Sequence, residues 1–170
     1  MNRRVDSAAV AGEAYGLHGL RLLRLATLLL GNEDDAWDVV QDAFERSLGA
    51  LSRLSPDEMF PYLRRSVSNL AISRFRRRRV EQKFAPILAH TGRAAVQQTP
   101  VEDREFVWAA VRELPSRKRA CVVLRYYEDL TQEEVASVLG CSVGTVRSQT
   151  SKALSLLRKV VGDEYRAASS

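Results

Sequence analysis

Two cysteines, two histidines and an aromatic content of 7% are little for a chain of 170 residues, and each shortage closes a class of function. Cys121 and Cys141 stand apart inside helical patterns, a spacing that suits neither a disulfide framework nor a C-x-x-C pair, so a reducing cytoplasm is the expected location. His18 and His90 are the only imidazoles. Neither falls near a Ser, Cys or carboxylate in the spacing of a triad or a metal site, so no metal, no cofactor and no catalysis by this chain are expected. Long apolar runs are missing as well. The most apolar stretch, Leu25 to Leu30, follows Arg24 and stops at Gly31, well short of the about 20 residues that cross a bilayer. No membrane insertion is expected, and no signal-peptide pattern precedes the stretch.

What remains is a hydrophobic fraction of 45%, enough for one domain or two small helical ones and too much for a disordered chain. The net charge of +5 is unevenly spread. Residues 1–50 carry 5 basic and 8 acidic side chains, six of the acids between Glu33 and Glu45; residues 51–100 carry 10 basic and 3 acidic; the remainder carries 11 and 10. An acidic surface and a basic one point to two different partners.

The apolar periodicity is helical throughout, with no strand pattern and no repeat. Leu17, Leu20, Leu25, Leu28 and Leu29 form one stripe, stopped by Gly31 and Asn32. Trp37, Val40, Phe44, Leu48 and Leu51 form a second, and Asp34, Asp35 and Asp38 suit the positive end of its helix dipole. Ser55-Pro56-Asp57 breaks it, and Phe60, Leu63, Val67 and Leu70 make a third stripe running into Arg74, Phe75 and the block Arg76 to Arg79. These three helices suit a small bundle, residues 1–80. From Glu81 to Val101 the pattern fails at Pro86, Gly92 and Pro100, as in a flexible linker, with room for a short helix over Phe84 to Leu88.

Periodicity returns over residues 102–162. Phe106, Val107, Ala110, Val111 and Leu114 form a helix closed by Pro115; Ser116 is expected to cap the next, with Ala120, Val123, Leu124 and Tyr127 inward. Thr131 to Glu134 reads as a capping box opening a short helix with Val135, Ala136 and Leu139 inward. After Gly140, Ser142 caps a last helix with Val143, Val146, Ala153, Leu154 and Leu157 inward, and residues 163–170 read as a tail. The fold class expected is therefore all-α: a three- to four-helix bundle and a four-helix domain joined by a flexible linker.

Short helix, a turn at Gly140-Cys141-Ser142 and a longer helix make a helix-turn-helix plan, with Ala136 small enough for close contact. The outward face of the second helix offers Thr145, Arg147, Ser148, Gln149, Ser151 and Lys152, donors and acceptors sized for phosphates and base edges in a major groove. An ordinary antiparallel helix pair with a solvated face is the alternative. Arg64, Arg65, Arg74, Arg76, Arg77, Arg78 and Arg79, interleaved with Tyr62, Asn69 and Phe75, form a second basic feature suited to a phosphate backbone with unpaired bases. A solubilising basic helix end has the same composition, and Phe75 suits a core equally well. Asp38, Gln41, Asp42 and Glu45 share one helical face, which repels DNA and complements a basic protein surface; a solvated face is the blander reading.

Together these residues resemble a bacterial sigma factor of the extracytoplasmic-function (ECF) group, the minimal kind with only regions two and four, over nearly the whole chain. Asp35-Ala36-Trp37-Asp38-Val39-Val40-Gln41-Asp42-Ala43-Phe44 is similar to the polymerase-binding segment usually written D-A-E-D-L-V-Q-E-A-F. Tyr62 through Arg74 and the Arg block resemble the promoter-melting helix, and Leu114 through Thr131 with Leu139 through Leu154 resemble region four, in wording close to actinobacterial members.

The resemblance implies core RNA polymerase and promoter DNA as partners. Asp38, Gln41, Asp42 and Glu45 would bind a polymerase coiled coil. Asn69 would lie near a flipped-out base of the −10 element, with Arg64, Arg65, Ser73, Arg74, Arg76 and Arg77 on the strand or duplex edge. Ser142, Thr145, Arg147, Ser148, Gln149, Ser151 and Lys152 would serve the −35 element, and the linker would thread toward the active-site cleft. Members are commonly held by an anti-sigma factor, which stands as an implied partner beside control by transcription or extra domains. Three positions depart from the pattern: Trp37 replaces an acidic residue, Ser55 to Glu58 lacks the Gly and basic residue of the base-capturing loop, and Gln149 stands where many relatives have Arg. A stand-alone helix-turn-helix regulator is the alternative function, since Leu130 to Leu157 also resembles response-regulator output domains; it leaves the acidic helix and the Asn69 and Arg block unexplained.

Overall fold

The computed structural model describes the backbone of residues 2–84 and 102–168 and the side chains of residues 7–77 and 107–160. The described residues form seven α-helices and no strand, in two compact units, Met1–Ala89 and His90–Ser170.

The first unit packs α1 (Asn2–Leu30), α2 (Glu33–Leu51) and α3 (Pro56–Phe84) pairwise against one another. Helix α1 begins fifteen residues earlier than the leucine stripe suggests, through Ala8, Ala9, Ala11 and Ala14, where alanine lowers the cost of helix. Its buried stripe is Ala11, Ala14, Leu22, Leu25, Ala26 and Leu29. Leu17 and Leu20, expected inside, lie on the opposite side of the helix and are 78% and 64% exposed. Gly31 adopts φ 75° and its N–H bonds to Thr27 O at 2.7 Å, the left-handed exit that ends α1.

Asn32 caps α2, its Oδ1 accepting the N–H groups of Asp34 and Asp35 at 2.9 and 3.3 Å. The buried face of α2 is Ala36, Val39, Val40, Ala43, Phe44, Ser47 and Leu51. Relative to the expected stripe it is rotated toward the small residues Ala36, Ala43 and Ser47, which admit neighbouring backbones; Trp37 and Leu48 are consequently exposed. The Ser55 break becomes the start of α3, with Pro56 in the first turn, where proline costs nothing. Ser55 N–H and Oγ both donate to Glu58 Oε2, at 2.9 and 2.8 Å. Leu63, Val67 and Ala71 of α3 complete the core. The helix continues to Phe84, so residues 81–84, expected to be linker, extend it; the rest of the expected linker and its short helix lie outside the described residues.

In the second unit, α4 (Glu102–Glu113), α5 (Ser116–Tyr126), α6 (Gln132–Leu139) and α7 (Val143–Ala168) enclose Ala110, Val111, Leu114, Ala120 to Leu124, Leu130, Val135, Ala136, Val138, Val146 and Ala153. Val107 is exposed, and Val138 rather than Leu139 is buried in α6. Ser116 does not cap α5: Pro115 occupies the cap position and no side chain bonds there. At the C-terminal end of α4 the buried Arg119 donates to Arg112 O and, at 3.2 Å, to Leu114 O. Burial lowers the Arg119 pKa to about 10, which still leaves it charged at neutral pH. The capping box of α6 forms in both directions, Glu134 N–H to Thr131 Oγ1 at 3.2 Å and Thr131 N–H to Glu134 Oε2 at 2.7 Å. Helix α7 runs to Ala168, through most of the expected tail.

Candidate nucleic-acid interface

Gly140 takes φ 61° and ψ 43°, a left-handed conformation that glycine adopts without a Cβ penalty, and this turns α6 into α7. Ser142 Oγ accepts Thr145 N–H at 3.1 Å and lies 2.9 Å from Thr145 Oγ1, so both hydroxyls serve the cap that fixes the direction of α7. Val146, Thr150 and Ala153 anchor the helix inward. The 3.6-residue period then places Arg147, Ser148, Ser151 and Lys152 together on the exposed face, with Gln149 half-buried at its edge. Arg147 Nε donates to Gln132 Oε1 at 3.5 Å, a long contact that ties the side chain back to the first turn of α6.

On α3, burial of Leu63, Val67 and Ala71 leaves Tyr62, Arg65, Asn69, Ser73, Arg76 and Arg77 exposed. The first five share one helical face, an aromatic ring and an amide set among cations and a hydroxyl, as an unpaired strand requires. Two arginines of the expected set lie elsewhere. Arg64 is half-buried and stays on its own helix, its guanidinium 5.5 Å from the centroid of the Phe60 ring one turn earlier. Arg74 turns toward α2, where it meets Asp38 at 2.7 Å and Asp35 at 3.1 Å. Burial opposes the charge of Arg74, yet the bond to Asp38 and the fields of Asp35 and Asp38 outweigh it and hold its pKa above the ordinary arginine value. The side chains of Arg78 and Arg79 lie outside the described residues.

The acidic set on α2 is largely engaged within its own unit. Gln41 Nε2 donates to Glu45 Oε1 at 3.0 Å, Arg46 pairs with Asp42 at 3.4 Å, and Asp38 holds Arg74. Beside it lies a feature the sequence stripe concealed: a groove of about 330 Å³ lined by Tyr15, Trp37, Gln41, Phe44, Glu45 and Leu48. Tyr15 packs edge-on against Phe44 with ring centroids 5.2 Å apart. Trp37 and Leu48 keep helical spacing with Val40 and Phe44, and periodicity alone therefore puts them in the core; the small residues Ala36 and Ser47, one step earlier, are the signal that the face is turned. Among the described residues no cluster of His, Cys, Asp and Glu suits a metal ion, and no helix is long and apolar enough to cross a membrane.

Residues 14–81 match the family model of sigma-70 region 2, and residues 105–157 that of sigma-70 region 4. The chain is similar to the RNA polymerase sigma-E factor of Streptomyces coelicolor, 32% identical over 81% of this chain and 78% of that protein. It is similar also to the ECF RNA polymerase sigma factor EcfG of Rhodopseudomonas palustris, 33% identical over 80% of this chain and 76% of that protein. Against the ECF sigma factor SigE of Mycolicibacterium smegmatis, 32% identical over 90% of this chain, it spans 63% of the relative's length. Two solved structures share the helical architecture. One is the sigma factor RpoE in complex with the anti-sigma factor NepR from Bartonella quintana, with a TM-score of 0.68 and 21% identity over 89% of this chain and 96% of that one. The other is CnrH in complex with the cytosolic domain of CnrY, with a TM-score of 0.59 and 26% identity over 94% and 97%. A stand-alone helix-turn-helix regulator has no place for the region 2 match or for the bundle that carries it, whereas both sigma-70 regions are matched in one chain and its relatives above 30% identity include ECF sigma factors: the chain belongs to the ECF sigma factors of RNA polymerase.

Proposed function

We propose that this chain is an alternative sigma factor that binds core RNA polymerase, directs it to a promoter and takes part in opening the DNA there. The observation that carries this is the pairing, in one short chain, of an exposed Tyr62, Arg65, Asn69 and Arg76 face on α3 with an exposed Arg147, Ser148, Ser151 and Lys152 face on α7. The first suits an unpaired strand and the second a major groove. In this division of labour, residues 1–80 bind the polymerase and the −10 element. Residues 102–162 bind the −35 element, and the segment between them connects the two tasks. Asp38, Gln41, Asp42 and Glu45 meet the polymerase; Asn69 receives a flipped-out base; Arg147 and Lys152 anchor the recognition helix, with Ser142 and Thr145 acting through the cap. The chain works in the cytoplasm and brings no catalysis of its own, since nucleotide addition belongs to the core enzyme. RpoE was solved in complex with the anti-sigma factor NepR and CnrH with the cytosolic domain of CnrY, which supports an anti-sigma protein as a further partner here.

Transcription reconstituted from core polymerase, this chain and host promoter DNA tests the reading. Specific initiation that depends on the chain is expected, with weak duplex binding by the chain alone. Tight operator binding without polymerase and no specific initiation would instead establish a stand-alone regulator. Within the active system, Asn69→Ala is expected to bind closed promoter and fail to open it.

A further inference from the structure

Leu17 and Leu20, on the outward side of α1, are the most exposed large apolar side chains among the described residues. They lie in line with Glu13 and Arg24, both exposed. Steps of four, three and four residues cover three turns, close to the period of about 3.6 residues, so the four side chains keep to one face. Arg21, at the edge of that face, turns onto α3, its guanidinium 4.1 Å from the centroid of the Phe60 ring, and Arg24 is the cation of the line itself. Gly16 lies beside the line, and a Cβ added there would meet nothing within 4 Å. A second backbone can therefore come close.

An exposed leucine is ordinary on a protein surface, but the order of these four residues is its own complement. The midpoint of Glu13 and Arg24 coincides with that of Leu17 and Leu20, between His18 and Gly19. When two copies of α1 lie antiparallel with that midpoint on a twofold axis, each Leu17 meets Leu20 of the second copy and each Glu13 meets its Arg24. That is the self-complementary interface of a C2 dimer. A parallel pair would set Glu13 against Glu13 and Arg24 against Arg24, so charge selects the antiparallel direction. We propose that this face of α1 docks a second copy of the chain, with the leucines at the centre of an antiparallel helix pair and Glu13 to Arg24 ion pairs at its two ends. A contact one helix wide falls below the about 1,200 Å² of stable interfaces, so the association is weak and reversible. The dimer does not depend on the sigma-factor reading, since none of its four residues is proposed to meet polymerase or DNA.

Sedimentation velocity of the full chain alone, over micromolar to millimolar concentrations, tests this. A concentration-dependent shift from monomer to dimer is expected. Leu17→Asp is expected to abolish the shift and, at so exposed a position, to leave helix content and the thermal midpoint unchanged. Glu13→Arg and Arg24→Glu each turn two attractive pairs into two repulsive ones, and either should raise the dissociation constant about tenfold at low salt. Mixing these two single variants in equal amounts sets opposite charges together again at both ends, and the mixture should regain the affinity of the unaltered chain. The double variant should regain it by itself. A chain that stays monomeric throughout overturns the proposal, as does a dimer indifferent to Leu17→Asp, or single variants that mixing does not rescue. A monomeric chain in which Leu17→Asp weakens core polymerase binding would assign the face to the polymerase and exclude the second copy.

Discussion

Arg74 of α3 stands 2.7 Å from the exposed carboxylate of Asp38 and 3.1 Å from the buried carboxylate of Asp35, so two residues expected to meet different partners, polymerase and DNA, meet each other. The pair locks α2 to α3 and fixes where the strand-facing side chains of α3 point. The two acids are not equal. Asp38 is 62% exposed at its side chain, and its share of the bond is screened by water; Asp35 is 4% exposed and depends on the cation far more.

Arg74→Ala is therefore expected to destabilise the first unit by about 2 kcal/mol, because it leaves the Asp35 charge buried without this cation. Asp38→Asn should cost less than about 1 kcal/mol, as exposed pairs do. Chemical denaturation of the two variants and the double variant measures both, along with their coupling. If Arg74 acts chiefly on DNA, its removal will leave the denaturation midpoint unchanged and lower only promoter opening.

The exposed Trp37 leads to a different expectation. It walls a groove beside Gln41 and Glu45, and a large ring half in water contributes little to folding. As the rim of a surface proposed to meet polymerase it is well suited to bury apolar area on binding. Trp37→Ala should leave thermal stability within about 0.5 kcal/mol of the unaltered chain. Core polymerase affinity should fall by about 1–2 kcal/mol, as for an aromatic interface anchor, and titration of labelled chain with core enzyme reads the change.

How far the sequence was legible depends on the range of the interaction. Local signals translated directly: the Thr131 and Glu134 box, the Gly140 turn, the Ser142 cap and the Asn32 stop each involve residues within a turn of one another, and each forms. Helical spacing also found most of the core. It failed on phase, since Leu17, Leu20, Trp37 and Leu48 keep a three- or four-residue rhythm yet face outward. Which side of a helix is buried is decided by its neighbours, and the buried faces of α1 and α2 mix large residues such as Leu22, Leu25 and Phe44 with Ala11, Ala14, Ala36, Ala43 and Ser47, which a stripe of large apolar residues alone passes over. Pairings between helices were invisible for the same reason. Nothing local to Arg74 announces Asp38, thirty-six residues away, and nothing local to Arg21 announces Phe60. Ser116 has the residue type of a cap, but Pro115 takes the cap position and makes Ser116 the first helical residue, a shift of one that residue type alone does not fix.

Glu58 gives the helix bearing the strand-facing residues a pH dependence of known sign. Its carboxylate accepts both the N–H and the hydroxyl of Ser55, and these bonds, the backbone one foremost, hold its pKa below the ordinary 4.5 despite a small opposing effect of desolvation. The ionised form is thus favoured by folding. Its stabilising contribution is complete above about pH 4.5 and is lost as the pH falls through the lower folded-state value. Unfolding midpoints of the unaltered chain and Glu58→Gln, compared at pH 7 and again below pH 4, should show a gap that closes in acid. A gap that persists or widens in acid contradicts the assignment.

Arg147 is the residue on which promoter choice is expected to turn. The second unit is nearly neutral, with 11 basic and 10 acidic residues from position 101 onward, so nonspecific attraction to DNA is weak and a few placed groups must carry recognition. Arg147 is exposed on the face of α7 that a major groove would receive, and its Nε is held toward Gln132, which leaves the outer edge of the guanidinium for a base or a phosphate. Arg147→Ala should cost about 1–3 kcal/mol at its preferred base pair and relax the preference there if the contact is to a base edge. A contact to phosphate would instead weaken all sequences alike and lower the salt slope by about 0.9. Gln132→Ala separates positioning from contact: it leaves the arginine in place but free to reorient, and should cost less than about 1 kcal/mol, roughly one immobilised side chain. Holoenzyme binding to −35 variants at two salt concentrations distinguishes these outcomes. Equal discrimination by Arg147→Ala and the unaltered chain would remove Arg147 from base recognition.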